Sequence, residues 1–271
     1  MDYILFIDSG IGGISILKKF KEMSTGVNTL YYADTANFPY GNKPHDYLTR
    51  LLTNIYNSLS NEYKIIMVVI ACNTASVTAL EQLRQRVSIP VIGTVPAIKK
   101  ASELSKTGKI GVIATENTIK QDYIYNLIKQ FAADKDVTVK ACPELVTFIE
   151  KNTLTNTKDL QAIFEKELSV LKNGEIDYLV LGCTHYSFLI DQISDYLGNK
   201  VNIIDSSEGV SKRILSLLNN KTTINGNPSE SICIISKTDK EILDKYIDIA
   251  INYNSFDLIK NGNGETIWQK V

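Results

Sequence analysis

Long apolar stretches are missing from this 271-residue chain. The longest uninterrupted one, Ile65–Cys72, is eight residues, against the roughly 20 that a membrane-spanning helix needs. Charge of one sign is missing too: 29 Lys and Arg stand against 30 Asp and Glu, a formal net charge of −1. That balance offers no electrostatic reason to expect nucleic acid or an anionic membrane as a partner. Cysteine is sparse, at four residues, too few to form a disulfide scaffold in a chain this long. The opening MDYILFIDSG enters a strand at once, without the basic segment and cleavage site of an export signal, so a cytoplasmic setting with reduced thiols is expected. Histidine is scarcer still, with only His45 and His185. Low-complexity runs, heptad arrays and solenoid repeats are absent.

What remains is a globular composition, 44% hydrophobic and 22% charged, in which short apolar runs alternate with amphipathic helical patterns. Strands are predicted at Tyr3–Ile7, Thr29–Ala33, Ile65–Ala71, Val91–Gly93, Lys109–Ile113, Val137–Ala141, Asp177–Leu181, Val201–Ile204 and Ser231–Ile235. Helices are predicted at Ile14–Met23, Tyr47–Leu59, Ala75–Val87, Ile119–Phe131, Leu160–Leu171 and Val210–Leu218. Such alternation argues for an α/β fold of mostly parallel sheets flanked by helices. The pattern also repeats itself. ILFIDSGIGGIS (residues 4–15) resembles IGVIATENTIK (residues 110–120) at an offset of 106, and VVIACNTAS (residues 68–76) resembles LVLGCTHYS (residues 179–187) at 111. The offsets suggest a diverged duplication into two pseudo-symmetric domains. With Pro96 interrupting the pattern and a return crossing near Asp205–Glu208, the expected division is residues 1–94 plus 207–271, and residues 95–206.

The second repeat carries the chemistry. Cys72 and Cys183 each follow a buried strand and one small residue, and each opens a polar turn that ends in Ser. That puts both sulfurs at strand carboxyl ends, the rim where open α/β sheets bind ligands. A cysteine taken singly is most often a small buried hydrophobe. Two in equivalent frames point instead to a reactive pair, and a nearby helix N-terminus stabilises a thiolate. Cys142 and Cys233 have no matching frame and read as structural. Cys183 and His185 together suggest metal ligation, but a Cys-x-x-Cys or a second nearby His is lacking, so no metal is expected. His185, two positions from the thiol, can exchange a proton with it. Asp8, at a strand end in the other half, can do the same for Cys72. His45, after Pro44, reads as a helix start.

The glycine-rich turn after the first strand, Asp8-Ser9-Gly10-Ile11-Gly12-Gly13, and Asp34 farther on suggest a dinucleotide site. Ser15 stands at the third glycine position, and Asp8 would repel a pyrophosphate.

Taken in order and spacing, DSGIGG, YADTANFPYGNK (residues 32–43), ACNTAS and LGCTHY resemble the glutamate racemases, cofactor-independent members of the aspartate/glutamate racemase superfamily. The resemblance runs from Asp8 to Tyr186 and thins after about residue 220. It implies two α/β domains related by a pseudo-twofold axis, with the active site in the cleft between them. It further implies that Cys72 takes the α-proton of D-glutamate and Cys183 that of L-glutamate, with Asp8 and His185 as their partners. Ser9, Asn73, Thr74 and Thr184 match positions that hold the substrate's carboxylate and ammonium groups, and Tyr40 and Gly41 match the loop at its side-chain end. Thr118 and Glu150 match further family positions. Glutamate as a small-molecule substrate, no cofactor, a homodimer and a product supplied to peptidoglycan follow from the same resemblance. The chain lacks the N-terminal extension that some members use to bind a cell-wall precursor, so activator control is not expected. An aspartate racemase is the nearest alternative; DSGIGG and GCTHY favour glutamate. Ala33, Glu144, Thr147, Ser187 and the segment SICIISKTDK depart from the family pattern, and none removes a thiol or its partner.

Overall fold

The computed structural model describes residues 1–24, 26–120, 122–151, 157–218 and 229–270. They fall into two compact units, Met1–Thr94 with Ser207–Val271, and Val95–Ser206. The first unit opens with β1 (Asp2–Asp8), α1 (Ile14–Met23), β2 (Asn28–Ala33), α2 (His45–Ser60), β3 (Lys64–Ile70), α3 (Asn73–Arg86) and β4 (Val91–Gly93). The second contains α4 (Ile98–Leu104), β5 (Lys109–Ala114), α5 (Glu116–Lys120), α6 (Tyr123–Phe131), β6 (Asp136–Ala141), α7 (Pro143–Lys151), α8 (Thr157–Glu167), α9 (Ser169–Asn173), β7 (Tyr178–Leu181), α10 (Ile190–Leu197) and β8 (Asn202–Ile204). The chain then returns to the first unit through α11 (Ser207–Leu218), β9 (Ser231–Ile235), α12 (Lys240–Tyr253), β10 (Leu258–Asn261) and β11 (Thr266–Gln269).

Among the described residues, the first unit holds a seven-stranded sheet in the order β11-β10-β9-β2-β1-β3-β4. Its pairings are parallel except β10 with β11. Tyr3–Ile7 form an unbroken apolar run because β1 is central and both its faces are covered, leaving all five residues buried. Helix α2 shows the complementary pattern. Leu48, Leu52, Ile55 and Leu59 recur at helical spacing and are buried, and they join one core cluster with Leu5, Ile7, Val68 and Ile70. The helix starts at His45 behind Pro44, whose fixed φ suits a helix entrance.

The second unit holds a four-stranded parallel sheet in the order β6-β5-β7-β8. Matching strands by their order in each half, this is the same arrangement as β2-β1-β3-β4. In both sheets the first strand is flanked by the second on one side and the third on the other. The chain therefore reverses direction across the sheet between β1 and β3, and between β5 and β7. At such a switch point the connecting loops part and leave a crevice at the carboxyl ends of the two strands.

Two predicted helices are each divided in the structure. Ile119–Phe131 belongs to α5 and α6, and Leu160–Leu171 to α8 and α9. The second break is at Leu168, whose ψ of −7° departs from helical geometry while its own N–H still bonds Phe164. Apolar spacing continues across such a break, so periodicity alone does not register it. Among the described residues, no helix is long and apolar enough to cross a membrane.

Candidate active site

Each switch-point crevice carries one thiol. In the first unit, Asp8 ends β1, and Cys72 lies two residues beyond the end of β3 and caps the N-terminus of α3. The ladder between the strands extends to the bond from Ala71 N–H to the Ile7 carbonyl, 2.8 Å, which sets Asp8 and Cys72 on neighbouring strand ends. Gly13 lets the intervening loop lie on them. A Cβ there would come 2.6 Å from Ala71 Cβ and 3.1 Å from Asp8 Cβ. Asp8 is fully buried, and its Oδ1 accepts from Gly10 N–H at 2.9 Å. Ser9, Cys72, Asn73 and Thr74 are all buried around it.

Asn73 stands apart energetically. It is 2% exposed, and neither its Oδ1 nor its Nδ2 has a hydrogen-bond partner among the described residues. Desolvating an amide without partners costs roughly 1–3 kcal/mol, so the fold gains nothing from these two polar atoms where they stand.

Tyr40 closes the same region from the loop after β2. Its hydroxyl donates to Asp34 Oδ2 at 2.9 Å. Burial, then the charge of Asp34 and the hydrogen bond to it, then Cys72 and Asp8, hold the Tyr40 phenol well above its ordinary pKa, so it stays a neutral donor. Gly41 lies beside it in a short turn, with open space where a Cβ would be. By sequence Asp34 suggests only part of a dinucleotide site. The structure makes it the anchor of this loop: its carboxylate also accepts from Asn37 Nδ2 (3.0 and 3.1 Å) and from Ser236 Oγ (3.0 Å). Ser236 comes from the far end of the chain, so sequence proximity offered no signal for it.

In the second unit, Cys183 opens the turn after β7, and Thr118 lies in the helix after β5. Gly182 sits so close to β5 that a Cβ would meet the Ile113 carbonyl at 2.8 Å. Thr118 is fully buried, with its hydroxyl 2.8 Å from that of Thr115. His185 connects three elements. Its Nδ1 lies 3.7 Å from Cys183 Sγ, and its Nε2 lies 2.6 Å from Oε1 of Glu150 in α7. Burial alone would lower the imidazole pKa, but the contacts with Cys183 and Glu150 outweigh it and raise it well above the ordinary histidine range. The result is a thiol–imidazole–carboxylate series in which the ring favours its charged form. Thr184 is buried beside it.

The two crevices thus differ in which side chains stand beside each thiol. Where β1 ends in Asp8, β5 ends in Ala114; two residues past the thiol, the first unit has Thr74 and the second His185. Cys142 and Cys233 are each fully buried, and burial pushes both thiols up, toward the inert protonated form. His45 lies at the start of α2.

The Asp/Glu/Hydantoin racemase family model matches residues 21–209. A glutamate racemase of Aliivibrio fischeri (strain MJ11) is 42% identical over 217 residues, 80% of this chain and 81% of that protein. The crystal structure of Escherichia coli glutamate racemase, in complex with L-glutamate and the activator UDP-MurNAc-ala, aligns with a TM-score of 0.87 at 26% identity, covering 98% of this chain and 99% of that one. The glutamate racemase of Francisella tularensis subsp. tularensis SCHU S4 in complex with D-glutamate aligns with a TM-score of 0.74 at 25% identity, covering 91% and 94%. With two thiols at matching strand ends and relatives of this identity along most of its length, the chain belongs to the Asp/Glu/Hydantoin racemase family, as an amino-acid racemase of the glutamate racemase group.

Proposed function

We propose that the protein interconverts L- and D-glutamate without a cofactor, with Cys72 and Cys183 acting on opposite faces of the substrate α-carbon. The observation that carries this reading is the equivalence of the two thiols. Each follows the third strand of a sheet with the same strand order, at the switch point where ligands bind. The relatives bound to L-glutamate and D-glutamate support the choice of substrate.

In the D-to-L direction, Cys72 as thiolate removes the α-proton and becomes a thiol, leaving the electron pair on the α-carbon and substrate carboxylate. Cys183 as thiol delivers its proton to the opposite face and becomes a thiolate. The reverse direction exchanges the roles. An amino-acid α-proton is far less acidic than a thiol, so the developing charge must be stabilised by fixed donors in a water-poor site. Asn73, with its uncommitted amide, and the hydroxyls of Ser9, Thr74, Thr118 and Thr184 are the groups assigned to the substrate's carboxylate and ammonium. Tyr40 and Gly41 are assigned to its side-chain end. After each turnover the thiols must return to their starting protonation states, and Asp8 and His185, the latter backed by Glu150, are assigned that exchange. The family resemblance further supports a homodimer, a cytoplasmic setting and D-glutamate supplied to peptidoglycan.

Incubation with L-glutamate in deuterated water tests the proposal. Optical activity and the α-proton NMR signal should both decay with no cofactor added, and a parallel run with L-aspartate should be much slower. Cys72→Ser and Cys183→Ser should each suppress the decay severely, because an alcohol is far less acidic than a thiol. Normal racemisation by either variant would refute the two-thiol mechanism.

A further inference from the structure

Helix α7 carries Glu150 in its last turn, and the structure shows how the opposite end of that helix is held. The residue before it is Cys142, a poor N-cap, and Pro143 takes the first helical position. The N–H groups of Glu144 and Leu145, which have no partner within the helix, are instead satisfied by the carboxylate of Glu167, at the end of α8: Glu144 N–H to Oε1 at 2.9 Å and Leu145 N–H to Oε2 at 3.2 Å. Glu167 is 4% exposed. Burial pushes its carboxyl up, and the two N–H bonds offset part of that. A carboxylate at a helix N-terminus also complements the helix dipole. The same helix start is tied a second time. Tyr186, the residue after His185, is fully buried and donates its hydroxyl to the Cys142 carbonyl at 2.8 Å. Both ends of α7 are therefore fastened around the thiol's turn, at the start by Glu167 and Tyr186, and at the end by the Glu150–His185 contact.

We propose that Glu167 is a positioning residue for the Cys183 half of the reaction: it holds α7 so that Glu150 keeps His185 aligned on the thiol. This rests on the two-thiol reading above. Misplacing a catalytic group by about 1 Å costs on the order of a hundredfold in rate. Glu167→Gln keeps the side chain's size but turns an amide N–H toward one helix N–H, so a smaller shift and a fall in kcat of about tenfold are expected.

Enantiomers have equal free energy, so kcat/KM must stay equal in the two directions, and a fault on one side does not appear as a directional difference in kcat/KM. It appears in isotope effects. Slowing only the Cys183 step should raise the primary isotope effect from α-deuterated L-glutamate and lower the one from α-deuterated D-glutamate. KM should change much less than kcat. A purely structural role would reduce the folded fraction and leave both isotope effects where they are in the unchanged protein. Tyr186→Phe, which removes the second tie, should move the isotope effects the same way, and it carries the test if Glu167→Gln does not fold. Folded Glu167→Gln, or in its stead folded Tyr186→Phe, with unaltered isotope effects overturns the proposal while leaving the two-thiol reading intact. Absence of α-proton exchange in the unsubstituted protein with glutamate overturns both.

Discussion

Replacing Asn73 with Ala should make the protein more stable and a much worse catalyst. Alanine brings no overpacking to this buried site and is the better helix former, and the gap it leaves is small. What it removes is a buried carbonyl oxygen and a buried amide nitrogen, neither bonded among the described residues. An unsatisfied buried polar group costs roughly 1–3 kcal/mol. Asn73 is the first residue of α3, behind the cap residue Cys72, so no helix cap is lost. A gain of about 1–3 kcal/mol is expected, which for a domain of this size is a rise in Tm of roughly 2–10 °C. On the catalytic side, a hydrogen bond to a charged group contributes roughly 1.5–3 kcal/mol. At about 1.4 kcal/mol per decade, kcat/KM should fall on the order of 10- to 150-fold. Thermal melting followed by circular dichroism reads the first effect and racemisation kinetics the second. Glutamate should also raise the Tm of the unsubstituted protein more than that of the variant, because at a given concentration the tighter-bound ligand stabilises more. A lower Tm in the ligand-free variant would show that Asn73 serves the fold. An unchanged kcat/KM would show that it does not serve the substrate. Either result refutes the reasoning.

Gly13→Ala should destabilise by about 1–3 kcal/mol in urea denaturation, since the new Cβ would lie 2.6 Å from Ala71 Cβ and 3.0 Å from its carbonyl. Adding Ala71→Gly should recover part of the loss, and a cost below about 0.5 kcal/mol would contradict the close packing. His185 is expected to give stability a characteristic pH dependence. Its folded-state pKa is raised above the ordinary value of 6.5, so the pairing contributes fully below about pH 6.5 and is lost as pH rises through the elevated value. The stability difference between the unsubstituted protein and His185→Asn should therefore be largest in mild acid and shrink toward alkaline pH. A difference that grows with pH would show that the ring is buried neutral.

Much of this architecture lies in local pattern. The apolar runs at Tyr3–Ile7 and Ile65–Ala71 mark doubly covered strands because a parallel sheet buries both faces, and the observed strands differ at their ends by a residue. The repeated frame around Cys72 and Cys183 implied two thiols just past strand ends, since a strand's period and its polar stop are both visible in sequence. Short, late elements were less visible. Strands β10 and β11 are four residues each and join through Gly-Asn-Gly-Glu, too brief for alternation to register. The break at Leu168 that divides α8 from α9 interrupts the helix but not the apolar spacing.

Sequence by itself determined the class of fold, the two strand-end thiols and the near neighbours each would have, because these depend on residues a few positions apart. Tertiary structure alone decided the partners that arrive from a distance. Ser236 reaches Asp34, Glu150 reaches His185 from another helix, and Glu167 caps the helix that carries Glu150. Only the fold reveals that Asn73 has no such partner among the described residues. Hydrogen bonding of this kind depends on which chain segments are packed together, and no local spacing encodes that.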